Sequence, residues 1–358
     1  MRSTDWWLTV GIFTLILFGM AAIYSVALSQ DGGSFLNVKK QFFAIVIALF
    51  CYVFLATSNY RLLRSYVKVL YVAGVLLLVG VLFFGSTIRG TTGWFDLGVI
   101  SFQPVEFMKV ALAVALATYC SERARRAFGW REVIETIVLT AVPVGLTLLQ
   151  PDFGSAMLLV GMWSIMVLFA GIRKRHIATL VPIGMAVIYF AWTFFFDEFQ
   201  QARIMTFIDP SADPLGRGYN VAQAIIAVGA GGWFGRGLGF GSQSQLKFLP
   251  ESQTDFIFAV IAEELGFLGI CLLLFAFALV FIRLISMARS NRDSFAVYLL
   301  VGIGGVMFLQ FMVNIGMNIG LLPVTGLGLP LVSYGGSSLI LFMIMMGVAQ
   351  NIYVTQRR

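Results

Sequence analysis

Long apolar runs separated by short polar segments set the pattern of this chain. A helix needs about 20 apolar residues to cross a bilayer. Such runs lie at 6–28, 40–57, 63–84, 104–120, 132–149, 153–171, 176–196, 255–283, 295–319 and 335–354. They predict an all-α, polytopic membrane protein with about ten transmembrane helices, organised as a single integral membrane domain over residues 1–358. Only Gln150-Pro151-Asp152 separates the fifth run from the sixth, so these two form a tight hairpin. The first run, Trp6 to Leu28, is long enough to span and reads as a retained helix rather than a cleaved signal peptide.

The polar segments alternate in charge. One set carries Arg2; Arg61, Arg64 and Lys68; Arg123, Arg125, Arg126 and Arg131; Arg173, Lys174 and Arg175; Arg283, Arg289 and Arg292; and Arg357 and Arg358. The opposite set holds Lys39, Lys40, Arg89, Arg203, Arg217, Arg236 and Lys247, with Lys109 inside a run. The positive-inside rule puts the first set, and both termini, in the cytoplasm. Two segments on the other side are too long to be simple connectors: residues 85–103, and residues 197–254 between the seventh and eighth helices. Long ordered loops usually carry function, so the chemistry is expected on the extracytoplasmic face.

Composition supports the bilayer as solvent. The chain is 59% hydrophobic and 11% charged, where a soluble domain carries roughly 25% charged residues. In a soluble protein the net charge of +7 would suggest nucleic acid. Here the cytoplasmic loops account for it, and membrane lipids rather than nucleic acid are the expected surroundings. Cys51, Cys120 and Cys271 sit in or beside apolar runs with no CxxC partner, so neither a disulfide nor a metal site is expected of them. The one histidine, His176, falls in a cytoplasmic loop. That argues against a Ser/His/Asp apparatus or a His-ligated metal on the outer face. Base chemistry there is left to carboxylates: Asp31, Asp96, Asp152, Asp197, Glu198, Asp209, Asp213, Glu251 and Asp255, with Glu106 just inside a run.

Several polar groups occupy costly places. The fourth helix opens at Gln103-Pro104 with Glu106 in its first turn, and the sixth at Gln150-Pro151 beside Asp152. The eighth opens at Ser252-Gln253-Thr254 with Asp255, and the tenth at Ser333-Tyr334-Gly335-Gly336-Ser337-Ser338. Proline at the first helical position and hydroxyls ahead of it are start signals. Each acid taken singly reads equally as a partner of its helix dipole. Taken together, these ends aim free N–H groups at one leaflet and suggest a site for a pyrophosphate head group. Glu106 and Lys109, three apart, share a helix face and read as an intramembrane ion pair that also shapes a cavity. Glu263 and Glu264 lie two turns or more below Asp255, where binding a partner helix and lining the same cavity both stay open. The stretch GAGGWFGRGLGFG (229–241) lacks the G-x-G-x-x-G spacing and follows no strand, so a flexible or close-packed loop is expected instead of a dinucleotide site.

Four longer motifs add a resemblance. QPDFGSA (150–156), GRGYN (216–220), FLPESQTDFIFAVIAEELG (248–266) and LPLVSYGGSS (329–338) resemble the SEDS family of bacterial cell-wall proteins, named for shape, elongation, division and sporulation. The resemblance runs from about residue 10 to the end of the sequence. Within the family, residues 202–220 and 241–251 look more like the elongation type than the division type. Membership implies a peptidoglycan glycosyltransferase of the bacterial cytoplasmic membrane. It would polymerise lipid II on the outer leaflet beside a class B penicillin-binding protein, during elongation and rod-shape maintenance. The family's essential aspartate maps onto Asp255. The family usually carries His before Thr-Asp, and here that position is Gln253, which places more of the burden on Asp255.

The reaction so implied joins a sugar hydroxyl to a donor anomeric carbon with inversion and expels lipid pyrophosphate. It needs a base and a means of dispersing negative charge. Asp255 is the expected base or, failing that, a ligand for a divalent cation such as Mg2+ or Mn2+; no organic cofactor is expected. Arg203 and Arg217 are candidates for gripping pyrophosphate, beside the reading that they are ordinary loop charge. Ser333, Tyr334, Gly335, Gly336 and Ser337 form a candidate anion nest. Two other functions stand beside this one: a lipid II flippase, and a non-enzymatic scaffold that activates a penicillin-binding protein.

Overall fold

In a computed structural model, residues 4–28, 35–88, 90–96, 98, 101–124, 128–194, 201, 205–208, 217–246 and 248–357 are described. The helices are α1 (Trp6–Leu28), α2 (Leu36–Thr57), α3 (Arg61–Ser65), α4 (Val67–Phe84), α5 (Pro104–Arg123), α6 (Trp130–Leu148) and α7 (Phe153–Phe169). They continue with α8 (Lys174–Phe194), α9 (Arg217–Ala230), α10 (Ser242–Gln245), α11 (Ile257–Ser290), α12 (Ser294–Asn318) and α13 (Gly336–Gln356). Each of the apolar runs has a helix. Among the described residues eight helices are long and apolar enough to cross a membrane, namely α1, α2, α4, α5, α8, α11, α12 and α13. The predicted hairpin is α6 and α7: α7 is apolar but only 17 residues long, and α6 starts with Arg131, Glu132 and Glu135. The chain is a multi-pass α-helical membrane protein.

Three boundaries differ from the apolar pattern. The third run is divided, because the chain turns at Tyr66 between α3 and α4. The eighth run starts as a helix at Ile257, not at Asp255, and continues to Ser290 across a break at Gly266 (φ 65°, ψ −165°). The tenth starts at Gly336, so Ser333 and Tyr334 precede the helix. Residues 85–103 hold a small antiparallel sheet in the order β1 (Ser86–Ile88), β2 (Thr91–Asp96), β3 (Ser101–Phe102). Its central strand, Thr-Thr-Gly-Trp-Phe-Asp, is rich in β-branched and aromatic residues. The Thr92 N–H donates to Gln150 O, and Gln150 Nε2 donates to Leu78 O, so the sheet is pinned to the α6–α7 turn.

Packing places α5 at the centre, against α4, α7, α12 and α13, with Lys109, Met108, Leu112 and Leu116 fully buried. Helix α1 packs along α11, and α2 along α13. The α2–α13 approach depends on Gly347, where a Cβ would lie 2.7 Å from the Tyr52 carbonyl oxygen; small residues permit such contacts between membrane helices. In contrast, His176 is the only buried residue of α8. Its anchor is His176 in its first turn, buried and tilted against Trp130 with ring centroids 4.5 Å apart.

The described basic residues of the first set include several paired at one end of the bundle. Arg283 pairs with Asp5 at 2.5 Å, Arg64 with Glu122, and Arg123 and Arg131 with Glu135. Tyr60 donates to Asp293 at 2.8 Å. The starts of α5, α7, α11 and α13 lie at the other end.

Candidate functional site

Asp255 lies near the end of a run of turns over residues 251–256, two residues ahead of α11. The first turn of α11 carries no acid, so Asp255 is not the in-helix dipole partner that the sequence allowed. It is 8% exposed. Its backbone carbonyl accepts from Asn314 Nδ2 at 2.9 Å and from Asn318 Nδ2 at 3.0 Å.

Beside Asp255 runs the non-helical segment 319–335, which draws the starts of α7, α11 and α13 together, with α5 joined through Asp152 and Gln310. From α7, Gly154 approaches so closely that a Cβ would lie 2.7 Å from Thr325 O. From α5, Gln103 Nε2 donates to Asp152 at 3.1 Å, and Lys109 Nζ reaches Gln310 Oε1 at 3.0 Å, whose Nε2 donates to Gly328 O at 2.9 Å. Ahead of α11, Thr254 O accepts from Ser333 Oγ at 2.6 Å and Gln253 O from the Tyr334 N–H at 2.8 Å. A Cβ on Gly326 would sit 3.8 Å from Asp255 Oδ2. Segment 319–335 then runs directly into α13. Helix α2 closes the ring: Asn37 Nδ2 donates to Gln253 Oε1 at 2.8 Å, and Gln41 Oε1 accepts the Gly335 N–H at 3.2 Å.

Other candidates divide by what they touch. Asp152 caps α7: Oδ1 accepts the Ser155 N–H at 3.0 Å, and Oδ2 accepts Ser155 Oγ at 2.7 Å. Its carboxylate is thereby committed to its own helix and Gln103. In the Ser333–Ser337 stretch, Ser333 Oγ and the N–H groups of Tyr334 and Gly335 already have protein partners. The nest is accordingly reduced to the first turn of α13 from Gly336, where Ser337 Oγ is buried with no hydrogen-bond partner among the described residues. Glu106 Oε1 accepts from Lys109 Nζ at 2.7 Å in a buried pair. Arg203 lies outside the described residues, and Arg217 is the first residue of α9.

Glu263 and Glu264 are buried and face their own chain, which leaves no surface there for a partner helix. Glu263 accepts from Ser242 Oγ at 3.1 Å and the Gln243 N–H at 2.9 Å, capping α10. Glu264 Oε1 accepts from Ser25 Oγ of α1 at 2.5 Å. The Gly-rich stretch is close-packed. At the Gly266 break, Glu263 O and Glu264 O accept the N–H groups of Arg236 and Gly237, while the N–H groups of Phe267 and Leu268 donate to Gly232 O and Trp233 O. A buried helix break must have its backbone groups satisfied, and position 266 has no room for a side chain: a Cβ on Gly266 would lie 2.2 Å from Gly235 N.

Sequence reasoning missed the amides that hold the site. Gln310, Asn314 and Asn318 recur every four residues on one face of the otherwise apolar α12. That spacing was a visible signal, since polar groups inside a span face protein or water. Among the described residues no three His, Cys, Asp or Glu side chains stand together as a metal site. A cavity of about 490 Å³ lined by Ile282, Ile285, Ser286, Arg289 and Ser290 lies at the opposite end of α11.

One family model, that of the FtsW, RodA and SpoVE cell cycle proteins, matches residues 6–358. The peptidoglycan glycosyltransferase MrdB of Escherichia coli K12 is 37% identical over 347 residues, covering 97% of this chain and 92% of MrdB. Among solved structures, a chain from a peptidoglycan synthase complex that coordinates polymerization and crosslinking matches with a TM-score of 0.84 and 30% identity, over 100% of both chains. The rod shape determining protein RodA of Thermus thermophilus matches with a TM-score of 0.74 and 29% identity, over 99% of this chain and 98% of that one.

Proposed function

The chain belongs to the FtsW, RodA and SpoVE family of cell cycle proteins, and from this we propose that it polymerises lipid II into glycan strands. It is a peptidoglycan glycosyltransferase, and its partner is a class B penicillin-binding protein that crosslinks the product. The cytoplasmic membrane houses it, with the reaction on the extracytoplasmic face, as the charge asymmetry of the loops supports. Elongation and rod-shape maintenance is the assigned role. A division role is the alternative within the family.

One observation carries the site assignment: the starts of α7, α11 and α13 converge on segment 319–335 beside the carboxylate of Asp255, with α5 joined to them through Asp152 and Gln310. Asp255 takes the proton from the acceptor sugar hydroxyl. The hydroxyl oxygen forms a bond to the donor anomeric carbon with inversion, and the bond from that carbon to the pyrophosphate oxygen breaks. The electron pair leaves on the lipid pyrophosphate, whose negative charge is favoured at the first turn of α13. Arg217, the first residue of α9, and Arg203 are the proposed partners of the pyrophosphate. The described donor set does not fit a resident metal centre, because Asp255 brings one carboxylate and, among the described residues, no group of three His, Cys, Asp or Glu surrounds it. A divalent cation such as Mg2+ or Mn2+ fits here only as a counter-ion carried by the pyrophosphate, and no step is routed through it.

The test is polymerisation of labelled lipid II by the purified protein with its transpeptidase partner. Wild type makes glycan polymer and Asp255→Ala makes none. A wild type that makes none under several cation conditions overturns the enzyme reading, and polymer from Asp255→Ala overturns the residue assignment alone. The broken helix α11 is a feature shared with transporters; head-group translocation in vesicles without polymer would favour a flippase instead.

A further inference from the structure

We propose that Asn318 is a positioning residue that holds Asp255 out of α11 by inserting its side-chain amide into the first turn of that helix. The proposal rests on the reading of Asp255 as the base. In an uninterrupted helix the Ala259 N–H would donate to the Asp255 carbonyl, four residues back. Here it donates to Asn318 Oδ1 at 3.1 Å. The same amide donates from Nδ2 to Asp255 O at 3.0 Å. Asn318 therefore stands between the two groups that would otherwise close the first helical hydrogen bond. Asn314, one turn earlier on α12, donates to Asp255 O at 2.9 Å and to Leu327 O at 2.7 Å. A carbonyl oxygen has two lone pairs, and both on Asp255 are engaged by α12. The first bond within α11 runs instead from the Val260 N–H to Phe256 O.

The amide orientation follows from chemistry. Asn318 Nδ2 faces two carbonyls, Asp255 O and Asn314 O, and Oδ1 faces an N–H. Both asparagines are fully buried. Removing the Asn318 amide leaves the Ala259 N–H without a partner and frees one lone pair of Asp255 O. The two then meet, the helix start moves back by one residue, and Asp255 becomes the N-cap of α11 in place of Phe256, its carboxylate turned toward the N–H groups of the first turn. Its carboxylate leaves the direction set by segment 319–335.

The experiment compares wild type with Asn318→Ala, Asn318→Asp and Asn351→Ala, each with its transpeptidase partner. Asn351 is a buried asparagine at the opposite end that holds Tyr60 and Ala56, and it controls for general loss of stability. Asn318→Ala lowers kcat about 100-fold, the order expected for a displacement near 1 Å, and leaves KM within about threefold. Asn318→Asp keeps the acceptor for the Ala259 N–H but sets a carboxylate oxygen against Asp255 O and Asn314 O, so it lowers kcat as well. Asn351→Ala loses stability without losing kcat. A second readout needs no activity: the rate at which a carbodiimide and a small amine modify Asp255, followed by peptide mapping. That rate changes at least threefold in Asn318→Ala while Asp96 reacts as before. Wild-type kcat and an unchanged Asp255 labelling rate in folded Asn318→Ala overturn the proposal. Absence of polymer from every protein, with labelling altered as expected, overturns the enzyme reading and leaves the positioning intact.

Discussion

Replacing Lys109 by Met tests whether the buried pair on α5 is a closed unit or part of a substrate path. The Lys109 side chain is wholly buried and its Glu106 partner is 6% exposed, with Nζ 2.7 Å from Oε1. Nζ also reaches Gln310 Oε1 at 3.0 Å and lies 5.6 Å from the centroid of the Phe342 ring. Methionine keeps the apolar stem but strands a carboxylate away from water. Breaking a buried pair from one side costs about 3–5 kcal/mol. Glu106→Gln together with Lys109→Met removes both charges, so the double variant recovers to within about 1 kcal/mol of wild type. With each single costing about 3–5 kcal/mol, the expected coupling is at least about 5 kcal/mol. Unfolding in micelles, followed by tryptophan fluorescence, measures all four corners of the cycle. Polymerisation by the same proteins adds the functional answer. If the pair only supports Gln310 and the Gly328 carbonyl, activity returns with stability in the double variant. A double variant that is as unstable as the sum of the singles refutes the closed pair. One that is stable but inactive assigns Lys109 to substrate.

Two further substitutions probe the break in α11. Gly266→Ala places a Cβ 2.2 Å from Gly235 N at a φ of 65°; strain of that kind costs about 1–3 kcal/mol before the clash is counted, and limited proteolysis should cut residues 231–241 faster than in wild type. Glu263→Ala removes the acceptor for Ser242 Oγ and the Gln243 N–H, each such bond to a charged group contributing about 1.5–3 kcal/mol. Hydrogen exchange over 242–246 should accelerate at least tenfold with α12 unchanged, and an unaltered rate would count against the capping role.

What the sequence made legible was whatever repeats along the chain. Span length is set by bilayer thickness, so each apolar run appears as a helix, and the alternation of Arg and Lys sorts the helix ends. Asp255 was legible through its motif. Less legible was everything fixed by contacts between distant segments. The use of Asp152 as a cap, with Gln103 on its second oxygen, depends on α5 and α7 starting side by side. Glu263 and Glu264 carry the same pair of letters whether they face a partner or their own loop. Their choice is made by Gly231 and Gly235, which let that loop reach the Gly266 break. The strands over 86–102 were hidden for another reason: three short segments in a loop give too few residues for a period to register.

The amides of α12 and α2 explain why a non-helical segment can sit inside this bundle. Irregular backbone at membrane depth is tolerated only when protein replaces water as its hydrogen-bonding partner. Segment 319–335 meets that demand from named side chains: Asn314 holds Leu327 O, Gln310 holds Gly328 O, and Gln41 takes the Gly335 N–H. Unlike water, these donors and acceptors do not reorient when charge develops on a leaving group. A template of fixed dipoles around a carboxylate is the arrangement that lowers a barrier without paying reorganisation at the moment of reaction. The same amides that make the segment foldable therefore make it a suitable floor for glycosyl transfer. It follows that substitutions at Gln310, Asn314 and Asn318 should lower turnover more steeply than they lower stability.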